Sequence, residues 1–360
     1  MMGGTLSRYF AKRFFRTILS VFLGVFALIY AIDVVEMLRR SGDTPGATGA
    51  LMAWVSLLHT PIVAEQALPF AVLFGAMISF LNLSRKLELV VTRAAGVSAW
   101  QFILPPLFVV LAFGAIMVTL YNPLSTAMKR EADRIEDRLF GGGAAEGSEG
   151  VWIRQKSVDG EAVVHADTRD DGGASLRHVQ VFNFDSSGGF TERVDAESAT
   201  LHSGYWLLSN ASVVTPGFDT VTTSTYLLAT NLTRTEVQQA FVDPETVSFW
   251  ALPGLAEQTD RAGLDATGYR LRYQELLALP LMLAAMVLVA ACFSLRFFRM
   301  GGVQKMVSGG VVAGFMLYVA TKLVNDLGGA GVVSVPVAGW SPAIVGCLFG
   351  VYVLLHQEDG

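Results

Sequence analysis

Six apolar runs, each close to or beyond the length needed to cross a bilayer, limit what this chain can become more than any other feature. They fall at about 17–38, 51–83, 100–121, 275–295, 306–325 and 339–356. A helix rising about 1.5 Å per residue covers roughly 30 Å of hydrocarbon in about 20 residues. Pro61 and Pro69 interrupt the second run, with Glu65 between them, which predicts a kinked or broken passage. A composition 52% hydrophobic and 16% charged over 360 residues excludes an ordinary soluble domain and fits an integral membrane protein. The first run is too long, and lacks a small-x-small pattern at its end, to be a cleavable signal. Cys292 and Cys347 both sit inside apolar runs, so no disulfide framework is expected.

Between the third and fourth runs the character changes. Residues 125–140 read as a charged helix, followed by three glycines from Gly141. From about 150 to 242 the apolar period drops to two, as in residues 179–184 (Val-Gln-Val-Phe-Asn-Phe), and turn signals recur at Asp159-Gly160, Ser203-Gly204 and Pro216-Gly217. Short strands at this spacing predict an all-β sandwich or jelly roll, in an insert where acidic residues outnumber basic ones. The expected fold class is a membrane α-helical bundle of six transmembrane helices, three plus three, with an inserted all-β jelly-roll domain. The expected domains are an N-terminal membrane half at 1–124, the insert at 125–272 and a C-terminal membrane half at 273–360. Arg8, Lys12, Arg13, Arg16, Arg85, Lys86, Arg93, Arg296, Arg299 and Lys305 flank the runs on one face, against Arg39, Arg40 and Lys322 on the other. That bias puts both termini in the cytoplasm and the insert on the opposite side, the periplasm of a Gram-negative cell.

Two short stretches stand out. In residues 5–16, Tyr9, Phe10 and Phe14 alternate with basic residues, which suggests a helix lying among headgroups before the chain turns inward. Residues 84–96 separate two spans, and Leu87, Val90, Val91, Ala94 and Ala95 share one side of a helix there. Ser84 is placed to cap that helix and Gly96 to end it. Its apolar side is expected to pack under the bundle, leaving Glu88 and Arg93 to face a partner.

Catalytic signatures are missing: no phosphate-cradling Gly-rich loop, no His-Glu-x-x-His, no Gly-x-Ser-x-Gly, and five scattered histidines. Charges in or near the spans are the informative residues, because an ionised group costs at least about 2.5 kcal/mol at the bilayer centre. Asp33, Glu65 and Lys322 are the ones least easily explained by a nearby span end. Arg39, Arg40, Arg270, Arg272 and Lys322 are expected at the outer face, where guanidinium groups suit lipid phosphate. Salt bridges to acidic neighbours are an equal alternative for any one of them.

Residues 87–96 (Leu-Glu-Leu-Val-Val-Thr-Arg-Ala-Ala-Gly) resemble the cytoplasmic coupling helix of the lipopolysaccharide export permeases, the LptF/LptG family. The likeness continues at Asn122-Pro123, at residues 150–153 (Gly-Val-Trp-Ile), 248–252 (Ser-Phe-Trp-Ala-Leu), 269–271 (Tyr-Arg-Leu) and 279–281 (Leu-Pro-Leu), and at Gly301-Gly302. It covers essentially the whole chain, and residues 272–274 (Arg-Tyr-Gln) and 293–296 (Phe-Ser-Leu-Arg) look more like the LptG branch.

The resemblance implies an exporter of the ABC type. Two copies of a cytoplasmic ATPase, LptB, would drive paired permeases, LptF and LptG, that extract lipopolysaccharide from the inner membrane. The β jelly rolls of the permeases and of LptC would then pass it along a periplasmic bridge. This chain would hold no cofactor, ATP and Mg being bound by the ATPase, and would bind no nucleic acid. By position, Arg85, Leu87, Glu88, Val91, Arg93, Ala95 and Gly96 would form the ATPase-docking surface. The first and fifth spans would gate against the partner permease. Some relatives carry a basic residue near the outer end of the first span where Asp33 stands here, so Arg39 and Arg40 would take over lipid contact. Two rivals remain at this level: a membrane-anchored periplasmic scaffold that transports nothing, and an intramembrane enzyme.

Overall fold

The computed structural model describes residues 4–42, 46–94, 96, 98–140, 151–157, 160–170, 173–185, 188–233, 237, 242–261, 264–298 and 303–358. The chain forms two compact units. One is helical and holds residues 1–132, 248–250 and 271–360; the other holds residues 133–247 and 251–270.

The helical unit begins with α1 (Gly4–Arg40), a single helix of 37 residues. The separate headgroup helix expected at 5–16 does not form. Nothing between Thr5 and Arg40 breaks a helix, and Phe10, Phe14, Ile18 and Phe22, four residues apart, form one buried stripe that runs through both parts. Phe14 meets Phe80 edge-on with ring centroids 4.8 Å apart. The second apolar run is broken, as its prolines suggest, into α2 (Gly49–Gln66) and α3 (Leu68–Arg85). Pro61 stays inside α2, while Pro69 falls in the first turn of α3, where its missing N–H has no intrahelical partner to lose.

After a short α4 (Glu88–Ala94), α5 (Ala99–Ile116) passes through a π turn (Met117–Tyr121) into α6 (Asn122–Phe140). Asn122-Pro123 therefore lies inside one continuous helical stretch. The C-terminal spans are α8 (Thr267–Phe298), α9 (Val303–Gly329) and α10 (Val335–Glu358), following a small α7 (Leu252–Arg261). Six of these helical stretches are long and apolar enough to cross a membrane. Close approaches hold them together: a Cβ on Gly75 would lie 2.7 Å from Ile18 Cα, and one on Gly114 would lie 2.7 Å from Pro280 Cα. At both points two helices touch backbone to backbone.

The second unit is built on six antiparallel strands: β1 (Val151–Ser157), β2 (Gly160–Asp170), β3 (Ser175–Phe184), β4 (Phe190–His202), β5 (Tyr205–Val214) and β6 (Val221–Ala229). They pair in sequence order in one sheet, without the crossovers of a Greek key. Alternate residues such as Val164, Leu176, Val181, Val194, Trp206 and Leu208 turn to one face and form its core. Flat, six strands would hold β1 and β6 about 24 Å apart. Instead Gln155 of β1, 1% exposed, donates to the Ala229 carbonyl at 3.2 Å and accepts from Thr230 Oγ1 at 2.7 Å. The sheet curls over its own core until its edges meet there, which is how a simple meander becomes roll-like.

Candidate functional site

The loop between α3 and α5 differs from its sequence reading in register. α3 continues to Arg85, so Ser84 lies in its last turn with its hydroxyl buried and unpartnered, and does not cap α4. Leu87 adopts a left-handed backbone, φ 58°, which costs a non-glycine residue about 1–2 kcal/mol. Its N–H donates to the Ser84 carbonyl at 3.0 Å, and its own carbonyl accepts from Val91 N–H at 3.0 Å. α4 therefore begins only at Glu88, and Gly96 follows it at φ 82°.

This turn reverses the expected facing. Glu88 points back to α1, where Arg13 Nη1 donates to both carboxylate oxygens at 3.0 Å and the Tyr9 hydroxyl adds a bond of 3.1 Å. Arg13 also donates to that hydroxyl at 2.7 Å. Leu87 and Val91 turn outward, 58% and 66% exposed, and Arg85 is exposed beside them. The pair places Glu88 on the α1 side of α4 and leaves Leu87 and Val91 on the other. The side chain of Arg93 and the whole of Ala95 lie outside the described residues.

A second cluster surrounds Glu65, 4% exposed by side chain at the end of α2. Arg272 Nη2 of α8 reaches its Oε1 at 3.0 Å, Asn122 Nδ2 reaches both oxygens at 3.0 and 3.2 Å, and Ser125 Oγ reaches Oε2 at 3.3 Å. Arg272 Nη1 also meets Glu275 at 3.4 Å. Asn122 Oδ1 accepts from the backbone N–H of Phe249 at 2.8 Å, and the Phe249 ring stacks on Tyr273 at 5.2 Å. Pro123 has no N–H to offer the Thr119 carbonyl one turn back, and the Trp250 indole donates to it instead at 3.1 Å. Glu65, Arg272 and Glu275 are among the residues that line a cavity of ≈ 140 Å³, together with Leu279, Met282 and Met286.

The remaining charges pair close by. Asp33 meets His59 Nδ1 at 3.1 Å, Arg39 and Arg40 both hold Glu36, at 2.8 and 2.9 Å, and Lys322 lies 3.9 Å from Asp326. Arg270 pairs with Asp260. Of the seven charged residues considered for a lipid surface, only Glu65 and Arg272 are brought into direct contact with each other. The neighbour-pairing alternative describes the other basic residues. Asn122, Ser125 and Phe249 escaped the sequence reading as site residues: a neutral amide, a hydroxyl and a backbone N–H give no signal until the helices are assembled. Among the described residues, no three or more His, Cys, Asp or Glu side chains gather in a way that could hold a metal ion.

Two helices are hardly covered. In the most apolar stretch of α1 and of α9, 11% is buried, against 39–72% in the other spans. Leu23, Leu28, Ile32 and Val35 on α1, and Val312, Phe315, Met316 and Val319 on α9, lie open.

The family model described as lipopolysaccharide export system permease LptF/LptG matches residues 8–356. The lipopolysaccharide export system permease protein LptG of Escherichia coli K12 is 25% identical over 342 residues, covering 90% of each chain. The LptG protein of Haemophilus influenzae is 24% identical over 337 residues, covering 90% of this chain and 91% of its own.

Proposed function

Because the chain belongs to the lipopolysaccharide export system permease family LptF/LptG, we propose that it is one half of a paired permease that lifts lipopolysaccharide out of the bacterial inner membrane. A separate cytoplasmic ATPase, in two copies, supplies the energy, and a second permease of the same family completes the pathway. The reading places both termini and α4 in the cytoplasm and the β unit in the periplasm, in keeping with the excess of basic residues around α4 and the N-terminus.

The observation that carries it is α4. A short helix between two spans presents Leu87 and Val91 to its surroundings while Glu88 is held from behind by Arg13 and Tyr9. An apolar contact on a braced helix is what a lever needs: it can be pushed without folding away. The exposed faces of α1 and α9 supply the second half of the reading, since a permease that encloses lipid between two copies of this architecture needs two such apolar walls. In this reading the β unit receives acyl chains, and the parts of its edge strands β1 and β6 away from the Gln155 contact would extend the sheet into a periplasmic partner such as an LptC-like protein.

Gentle solubilisation tests this. The wild-type chain is expected to bring down an ATPase and a second permease, with ATP hydrolysis that rises when lipopolysaccharide is added. Val91→Asp places a charge in the apolar contact and is expected to lower ATPase recovery by about tenfold or more. Full recovery with the Asp variant would remove α4 as the docking element.

A further inference from the structure

Glu65 sits where four pieces of chain converge, and three of them are the roots from which the β unit is strung. α6 leaves the helical unit beyond residue 132, carrying Asn122 and Ser125 at its base. α8 enters it at residue 271, carrying Arg272 and Tyr273. The tripeptide 248–250 belongs to the helical unit although the residues on either side belong to the β unit. It is pinned by Asn122 to Phe249 N–H, by Thr119 to the Trp250 indole, and by the stack of Phe249 on Tyr273. The fourth piece is α2 itself, which passes directly into α3; that helix runs about 27 Å to Arg85 and the turn into α4.

We propose that Glu65 is a positioning residue for export: it ties the upper end of α3 to all three roots of the β unit, so that displacement of α4 reaches the roots together. Stability alone is a poor reason for such a residue. A buried ion pair is often no better than apolar side chains of the same volume, whereas removing one partner is costly. What the arrangement supplies is a fixed linkage. Arg272 Nη2 and the Asn122 amide hold the carboxylate from two directions, and Asn122 relays that hold to the Phe249 backbone. The π turn just before Asn122, a local departure from α geometry, sits where the linkage enters the third span.

The inference rests on the export reading and is tested in the complete complex of this chain, its second permease and its ATPase, reconstituted in lipid. Two quantities are read: ATP hydrolysed, and lipopolysaccharide released to a soluble acceptor. Asn122→Ala is expected to keep hydrolysis within about twofold of wild type while lowering lipid released per ATP about tenfold. Trp250→Phe keeps the ring and removes only the indole N–H; it is expected to lower the same ratio about threefold, and it decides the matter if the Asn122 variant fails to assemble. An unchanged ratio in Trp250→Phe overturns the proposal. So does a loss of both activities in step with lost complex in Trp250→Phe, which is what a merely structural role would give. If the wild type hydrolyses ATP but releases no lipid, the export reading falls and this inference with it; if it exports and the variants keep its ratio, the relay alone is wrong.

Discussion

Arg13 and Glu88 are 75 residues apart in sequence and 3.0 Å apart in space, and that contact sets the facing of α4. A partly exposed pair of this kind contributes about 0.2–1 kcal/mol to stability. Arg13→Ala should therefore leave the thermal midpoint of the purified chain nearly unchanged while it weakens ATPase recovery, because the cost falls on the position of Leu87 and Val91. A pull-down beside a thermal scan checks this; a large fall in the midpoint with normal recovery would contradict it. Glu88 could be singled out from sequence, but its partner could not. The local pattern carried the apolar side of a helix, and it took a guanidinium from α1 to show that this side looks outward. Glu65 repeats the lesson. Its charge inside an apolar run marked it as costly, while its partners came from residues 122, 125 and 272, which no local spacing connects.

At the scale of elements, helix contacts depend on glycines such as Gly75 and Gly114 as much as on the large side chains. Gly75→Leu would drive a side chain into the backbone of α1 at Ile18, and folded protein after detergent extraction is expected to fall severely. Gly24 on α1 has nothing within 4 Å of its missing Cβ, so Gly24→Leu should be neutral or stabilise by up to about 1 kcal/mol. Equal yields from the two variants would show that α1 and α3 do not pack as described. The spans and the period-two strands were legible because length and alternation are local properties. The continuity of α1 and of α5 through Pro123 was not. Polar residues near a span end look like a boundary until a buried stripe, or a borrowed indole donor, shows that the helix goes on.

At the scale of the molecule, one unit carries apolar helices with two walls left open, and the other a sheet curled over its own core. On the proposed function, the open faces of α1 and α9 would meet a second permease and the foot at α4 would meet the ATPase. The three-plus-three layout and the β insert could be read from composition; the strand order and the closure through Gln155 could not, because edge-to-edge contact follows from curvature rather than alternation. The claim on which the rest depends is that force enters through α4 from the cytoplasm. Val91→Cys in sealed inner-membrane vesicles of known sidedness, treated with a short thiol cross-linker, tests it directly. Cross-linking to the ATPase, with labelling of that thiol only from the cytoplasmic side, is the expected result; labelling from the periplasmic side, or an exposed thiol that never reaches the ATPase, would contradict it.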